Sequence, residues 1–268
     1  MTAGRTGADA LADALGPAAA ADPLLLATDF DGVLASLQRD PAAVRPTAGV
    51  VPTLRGLAMQ PGVRVAVVSG RDLATLRRLS GLTPDAGITL IASHGAESSD
   101  PAVRAAMSAV SVSAEDVARL DALEHRVRAR LAARHPLARV ERKAAGVVVH
   151  TRGLPDPIAR VALAEARALG EPEPGVRVLA GKSVVELSVS AADKGSALLA
   201  LAAAVHPVAR VYLGDDVTDE DVFVRFGQPS DITVKVGPGP SAARFRLADT
   251  TAVAALLADL LAERTRRG

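Results

Sequence analysis

The chain has no cysteine and no tryptophan, one tyrosine and four phenylalanines among 268 residues. Without cysteine there can be no disulfide, no thiolate nucleophile and no Cys-ligated zinc. With aromatics at 2%, stacking platforms for bases or sugars are scarce. Charge of one sign is missing too. The 31 basic and 30 acidic residues leave a formal net charge of +1 and are spread along the sequence, so nothing marks a footprint for nucleic acid or an anionic membrane. Residues 1–22 are Ala-rich but broken by Asp9, Asp13 and Asp22, with no continuous apolar segment resembling a signal peptide or a membrane span. The expectation is a cytoplasmic monomer with no nucleic-acid or membrane partner.

Hydrophobic residues make up 49% of the chain, so a sizeable core must be filled by Ala, Val and Leu. The length exceeds that of a usual single domain and favours one large α/β unit or a core with an insertion. Apolar runs at Leu24–Ala27, Val63–Val68, Ile88–Ala92, Val208–Leu213 and Ile232–Val236 read as buried strands. Helical spacing lies between them at Val44–Met59, Asp72–Leu79, Lys194–Val205 and Thr251–Glu263. Alternation of this kind makes a parallel sheet with crossover helices. Between residues 111 and 189 the pattern changes to a long Arg- and Glu-rich helix at Ala114–Arg134, a hairpin across Lys143-Ala144-Ala145, a helix at Pro157–Leu169 and a second hairpin turning at Gly181-Lys182. The expected organisation is an N-terminal leader or helix over 1–22, an α/β core over 23–110 and 190–268, and an inserted α/β unit with an antiparallel sheet over 111–189. Hinges are expected near 108–113 and 189–193, and Arg264 to Arg267 reads as a solvated basic tail.

Two acidic turns stand out, each after an apolar run: Asp29-Phe30-Asp31-Gly32 and Gly214-Asp215-Asp216-Val217-Thr218-Asp219-Glu220-Asp221. Ligands of open α/β sheets bind at the carboxyl ends of strands. Crowded carboxylates there are costly unless a hard cation or a reaction needs them. Asp29 could attack phosphorus as a carboxylate nucleophile, with Asp31 as general acid and then base. Asp31 also reads as a plain turn acid. Magnesium would take Asp29, Asp215 and the backbone carbonyl of Asp31 as ligands, with Asp219 holding a water or orienting a ligand from behind. Asp216 is placed with Asp219, although Asp216, Glu220 and Asp221 read equally as helix-capping acids. Ser69 closes a strand before a helix, where a hydroxyl and amides can hold a phosphate oxygen or cap the helix. Lys194 supplies a point charge for the phosphate and the nucleophile.

In order, Asp29-x-Asp31-Gly32, Ser69, Lys194 and Gly214-Asp215-Asp216-x-x-Asp219 resemble the haloacid dehalogenase superfamily. The resemblance implies a Rossmann-like core with an inserted α/β cap, Asp29 as nucleophile, Asp31 as acid/base, Ser69 and Lys194 on the phosphate, and Asp215 on magnesium. Longer strings, Val67-Val68-Ser69-Gly70-Arg71, Ser93-His94-Gly95-Ala96-Glu97, Val140-Glu141-Arg142-Lys143, Val148-Val149-His150 and Gly-Asp-Asp-x-Thr-Asp-Glu-Asp-x-Phe from Gly214, are similar to the trehalose-6-phosphate phosphatase family within it. That likeness implies hydrolysis of trehalose 6-phosphate to trehalose and phosphate. It also implies substrate contacts from Phe30, Gly70, Arg71, His94 and Glu97 in the core and from Glu141, Lys143, Lys182 and Glu186 in the insertion. Phosphatases for sucrose 6-phosphate or a glucosyl- or mannosyl-glycerate phosphate, and a silent sugar-phosphate sensor, are the rival readings. Four positions depart from the family pattern: Val33 stands for a Thr, Ser188-Val189 for an Arg-Pro pair, and Ala192 for an aromatic.

Overall fold

The computed structural model describes residues 7–38, 40–83, 86–107, 112–143, 145–181, 183–190 and 192–267. The chain divides into two compact units, Met1–Met107 with Lys194–Gly268, and Ser108–Asp193. Among the described residues no helix is long and apolar enough to cross a membrane.

The first unit is built on seven strands: β1 (Leu24–Asp29), β2 (Val63–Val68), β3 (Ile88–Ala92), β4 (Glu97–Ser98), β9 (Ala209–Gly214), β10 (Ile232–Val236) and β11 (Phe245–Leu247). Their order is β11-β10-β9-β1-β2-β3-β4, and every neighbouring pair is parallel except β3 with β4. All six residues of β1 are buried. A strand covered on both faces by crossover helices reads as an unbroken apolar run, and Leu24 to Ala27 is such a run. Its side chains alternate between two cores. Leu24 and Leu26 pack with α1 (Gly7–Ala20), α2 (Val50–Ala58), α3 (Leu73–Ser80) and α9 (Thr250–Arg267). Leu25 and Ala27 pack with α4 (Pro101–Met107), α7 (Lys194–Val205) and α8 (Glu220–Arg225). Chain order leaves β1 in opposite directions, to β2 on one side and to β9 on the other. The crevice beyond their carboxyl ends is where such sheets bind ligands.

Several elements differ from expectation. The helix expected from Val44 begins only at Val50, because Pro46 lacks an amide donor and Gly49 takes φ +83° just ahead of the first turn. The short elements α4, β4 and β11 carry too few residues for a periodicity. Arg264 is not part of a solvated tail. Its guanidinium donates to the carbonyls of Ala19, Ala21 and Pro61, fastening the end of α1 onto the core.

The second unit has a four-stranded antiparallel sheet, β5 (Arg139–Lys143), β6 (Gly146–His150), β8 (Val184–Ser188) and β7 (Arg177–Gly181) in that order. Two helices, α5 (Ala114–Arg134) and α6 (Asp156–Gly170), cover one face. Leu120, Leu123, Val127 and Leu131 at helical spacing meet Val147, Val149, Val185 and Leu187 at strand spacing. Ser113 opens α5 with a capping box to Asp116. The period of two places Glu141, Lys143, Val148, His150 and Glu186 on the sheet face opposite the helices.

Candidate active site

Strand β1 ends at Asp29, and β9 runs beside it with Thr28 opposite Leu213, so the two acidic turns leave the sheet side by side. After Asp29 the chain folds back at once. The amides of Leu34 and Ala35 both donate to the Phe30 carbonyl, and Gly32 takes φ +79°. A Cβ on Gly32 would run into the Asp215 carboxylate, which fills the place where a side chain would stand. Glycine is needed here for its backbone and for the close approach together.

Lys194, the first residue of α7, is 2% exposed and joins the two turns. Its Nζ lies 2.9 Å from Oδ2 of Asp29 and 2.8 Å from Oδ1 of Asp219. Asp29 accepts from the Phe30 amide at 2.7 Å through its other oxygen. Asp219, fully buried, is saturated: Oδ1 also takes the Tyr212 hydroxyl at 2.6 Å, and Oδ2 takes the amides of Asp215 and Asp216 at 2.8 and 2.9 Å. Lys235, 6% exposed on β10, donates to the Asp215 carbonyl.

Burial pushes the Asp29 carboxyl well up, Lys194 works against the shift, and Asp219 and Asp215 add to it. Burial and the Asp219 charge push Asp215 up to about 7. Burial also works against the charge of Asp219, yet Lys194, Tyr212 and the backbone amides outweigh it and hold this carboxyl below its ordinary value. For Lys194 burial favours the neutral amine, but Asp219 and Asp29 overcome it and the ammonium is held above the usual lysine range. Asp29, Asp215 and Asp219 each offer an oxygen within 4.8 Å of the others, a buried acidic group able to hold a metal ion. Hard oxygen donors, a surplus of negative charge, and upward pressure on the two carboxyls that are not saturated are what a divalent cation would relieve.

Asp31 is turned to another partner. Arg71 grips both of its oxygens, Nε to Oδ2 and Nη2 to Oδ1, each at 2.6 Å. Ser69, 1% exposed at the end of β2, accepts from the Arg71 amide through Oγ at 3.1 Å. The His94 amide donates to the Ser69 carbonyl, and the His94 ring lies against Gly70, where a Cβ would meet it. Glu97 accepts from Ser93 Oγ. Asp216 caps the turn after β9 through the Val217 amide. The Phe30 ring is fully buried in the core, so only its backbone faces the site.

Asp215, Asp219 and Lys194 are thus brought together around Asp29, with Ser69, Arg71 and Asp31 forming an adjoining cluster. Tyr212 and Lys235 were missed. One is an aromatic and the other a lysine inside strand patterns, where packing is the ordinary reading, and only the neighbouring strands reveal what their polar ends touch.

In the second unit, Lys143 Nζ lies 2.9 Å from Glu186 Oε2, and His150 Nε2 lies 2.7 Å from Glu141 Oε2. Burial lowers the His150 pKa, against the hydrogen bond that its ring donates to Glu141. The sheet face opposite the helices thus carries an ion pair, Lys143–Glu186, reaching across β6 from β5 to β8, and a hydrogen-bonded His150–Glu141 pair between the neighbouring strands β6 and β5. Lys182 lies outside the described residues.

A family model described as trehalose-phosphatase matches residues 27–251. A trehalose-phosphate phosphatase of Mycobacterium marinum is 37% identical over 84% of this chain, and the chain spans only 58% of that protein's length. Among solved structures, the C-terminal domain of Candida albicans trehalose-6-phosphate phosphatase superposes with a TM-score of 0.77 at 22% identity, covering 94% of this chain and 96% of that one. The Aspergillus fumigatus trehalose-6-phosphate phosphatase does so at 0.64 and 26%, covering 94% and 97%. The fold is accordingly the haloacid dehalogenase type, with a parallel sheet and a separate antiparallel sheet. The length and identity of these matches establish that the chain belongs to the trehalose-phosphatase family.

Proposed function

We propose that the protein hydrolyses trehalose 6-phosphate to trehalose and phosphate with magnesium as its cofactor. The observation that carries this reading is the buried Asp29–Lys194–Asp219 chain with Asp215 alongside, at the carboxyl ends of adjacent parallel strands in a member of this family. Asp29, Asp215 and the carbonyl of Asp31 are the groups that would hold magnesium. When bound, the ion supplies the positive charge that lets an anionic carboxylate and a phosphate dianion approach each other.

Asp29 attacks phosphorus through the carboxylate oxygen not held by the Phe30 amide, and the sugar oxygen departs as the phosphoaspartyl bond forms. Lys194 reaches that carboxylate and offsets its charge, while Asp219, charged and immobile, fixes the lysine. Once Arg71 turns from Asp31 to the phosphate, Asp31 in its protonated form delivers that proton to the departing oxygen, and its carboxylate then takes one from the water that opens the phosphoaspartate. Arg71 and the Ser69 hydroxyl offer donors to phosphate oxygens. Positioning and charge neutralisation do most of the work in phosphoryl transfer. Glu141, Lys143, Lys182 and Glu186 are assigned to the sugar, whose hydroxyls suit directional bonds to ionic groups.

Phosphate release from trehalose 6-phosphate, sucrose 6-phosphate and a glucosylglycerate phosphate, with magnesium and with chelator, tests the reading. Trehalose 6-phosphate should have the highest kcat/KM, chelator should abolish turnover, and Asp29→Asn should be inactive. A strong preference for another sugar phosphate would overturn the substrate, and an active Asp29→Asn the mechanism.

A further inference from the structure

Lys235 is a charged group that the hydrolytic scheme above does not use. It lies within β10 opposite Gly214 of β9, one residue before the second acidic turn begins. It is 6% exposed, and among the described residues its one hydrogen bond goes to the Asp215 carbonyl and no carboxylate pairs with it. A buried ammonium with a single neutral partner is expensive. What offsets the cost is the charge of the Asp215 carboxylate, which Lys235 in turn favours, and Asp215 is grouped with the Asp29 and Asp219 carboxylates that Lys194, Tyr212 and backbone amides hold.

Counting charge shows what such a lysine does. Three carboxylates and Lys194 alone leave two negative charges, which a divalent cation cancels to zero. With all three carboxylates ionised, as a bound cation favours, Lys235 brings the same set to one negative charge before a divalent cation is counted and one positive charge after it. From the geometry we infer that Lys235 is a further cation of the phosphate site, beyond Lys194 and Arg71, which weakens metal binding and strengthens the hold on the phosphate dianion. The inference rests on the phosphatase reading. It acts through space at the rear of the Asp215 turn, so Lys235 is a positioning charge and not a group that touches the reacting atoms.

Opposite signs for two ligands separate this role from a structural one. Calorimetric titration of the metal-free protein with magnesium chloride, and of the magnesium-loaded protein with inorganic phosphate, reads both affinities without turnover. Lys235→Gln should bind magnesium about three- to tenfold more tightly and phosphate about three- to tenfold more weakly. Lys235→Met should show the same two signs, since the charge and not the hydrogen bond carries the effect. Lys235→Arg should stay within about twofold of the wild type for both ligands. Weaker binding of both ligands in the neutral variants would mean that Lys235 only braces the turn, and unchanged binding of both would mean that its charge is silent. Either result overturns the inference. If the wild type binds neither magnesium nor phosphate, the phosphatase reading fails and the role of Lys235 falls with it.

Discussion

The Asp215 carboxylate occupies the space that a side chain on Gly32 would need. The contact ties the turn after β1 to the turn after β9, and it makes a single methyl group a probe of the site. Gly32→Ala should lose magnesium affinity and phosphatase activity by at least about tenfold, because it displaces a proposed ligand and also strains a backbone at φ +79°. Gly49→Ala is the control. Gly49 has φ +83° with nothing within 4 Å of a built Cβ, so it should lose only about 1–2 kcal/mol of stability and keep its metal affinity. Titration calorimetry and thermal melts on the two variants separate strain from displacement.

Tyr212 completes the hydrogen bonding of Asp219, and its ring packs edge-on to Phe223 and Phe226. Tyr212→Phe keeps the packing and removes one bond to a buried charge, which should cost about 1.5–3 kcal/mol. Asp219→Asn removes the strongest partner of a buried lysine and should cost about 3–5 kcal/mol. If the hydroxyl acts only through Asp219, the loss of kcat from Tyr212→Phe should vanish in an Asp219→Asn background. Additive losses in the double variant would refute the coupling.

The pH dependence of stability should disappear with metal. In the metal-free fold the Asp215 carboxyl titrates at about 7 instead of 3.8, so the folded state holds a proton that the unfolded state has released. Stability from this group is therefore greatest below 3.8 and is lost as pH rises toward 7. A bound cation favours the carboxylate and removes the loss. Melting temperature measured from pH 5 to 7.5 should fall by several degrees in chelator, stay nearly flat in magnesium, and fall by less in chelator for Asp215→Asn than for the wild type. A wild-type protein insensitive to pH in chelator would contradict the proposed charge crowding.

Arg264 ties the end of α1, through the carbonyls of Ala19 and Ala21, to the loop after α2 through that of Pro61. Arg264→Met keeps an apolar stem and loses the donors, with an expected cost of about 1–3 kcal/mol. Limited proteolysis should then cut within α1 before any other helix, while phosphate release per folded molecule stays close to wild type. A cleavage pattern identical to that of the wild type would show that α1 is held by packing alone.

Much of the fold is legible in one dimension because its signals are local. Helix α5 spans Ala114–Arg134 and α7 spans Lys194–Val205, as their spacing and flanking residues indicate. The strands at Val63–Val68, Ile88–Ala92 and Ile232–Val236 are unbroken apolar runs and need no neighbour to be recognised. Elements whose existence depends on a partner are not legible in this way. The short strand β11 has three residues and forms by pairing with β10, and β4 has two and pairs with β3. The late start of α2 depends on Gly49 adopting a left-handed conformation, which composition permits without requiring it.

For the site, the sequence alone determined which residues are proposed to carry the chemistry, because carboxylate, hydroxyl and ammonium groups at strand ends in a particular order are a property of the chain. It also determined the family, since the longer strings are linear. Only the tertiary structure decided how those groups are shared out. Asp219 comes to rest against four donors and Asp215 against Gly32, Arg71 closes on Asp31, and Tyr212 and Lys235 bring polar ends from inside strands to the same sheet edge. The reason is physical. A residue's chemistry travels with its side chain, whereas its charge state and its partners depend on burial and on contacts between strands distant in sequence, which no local pattern encodes.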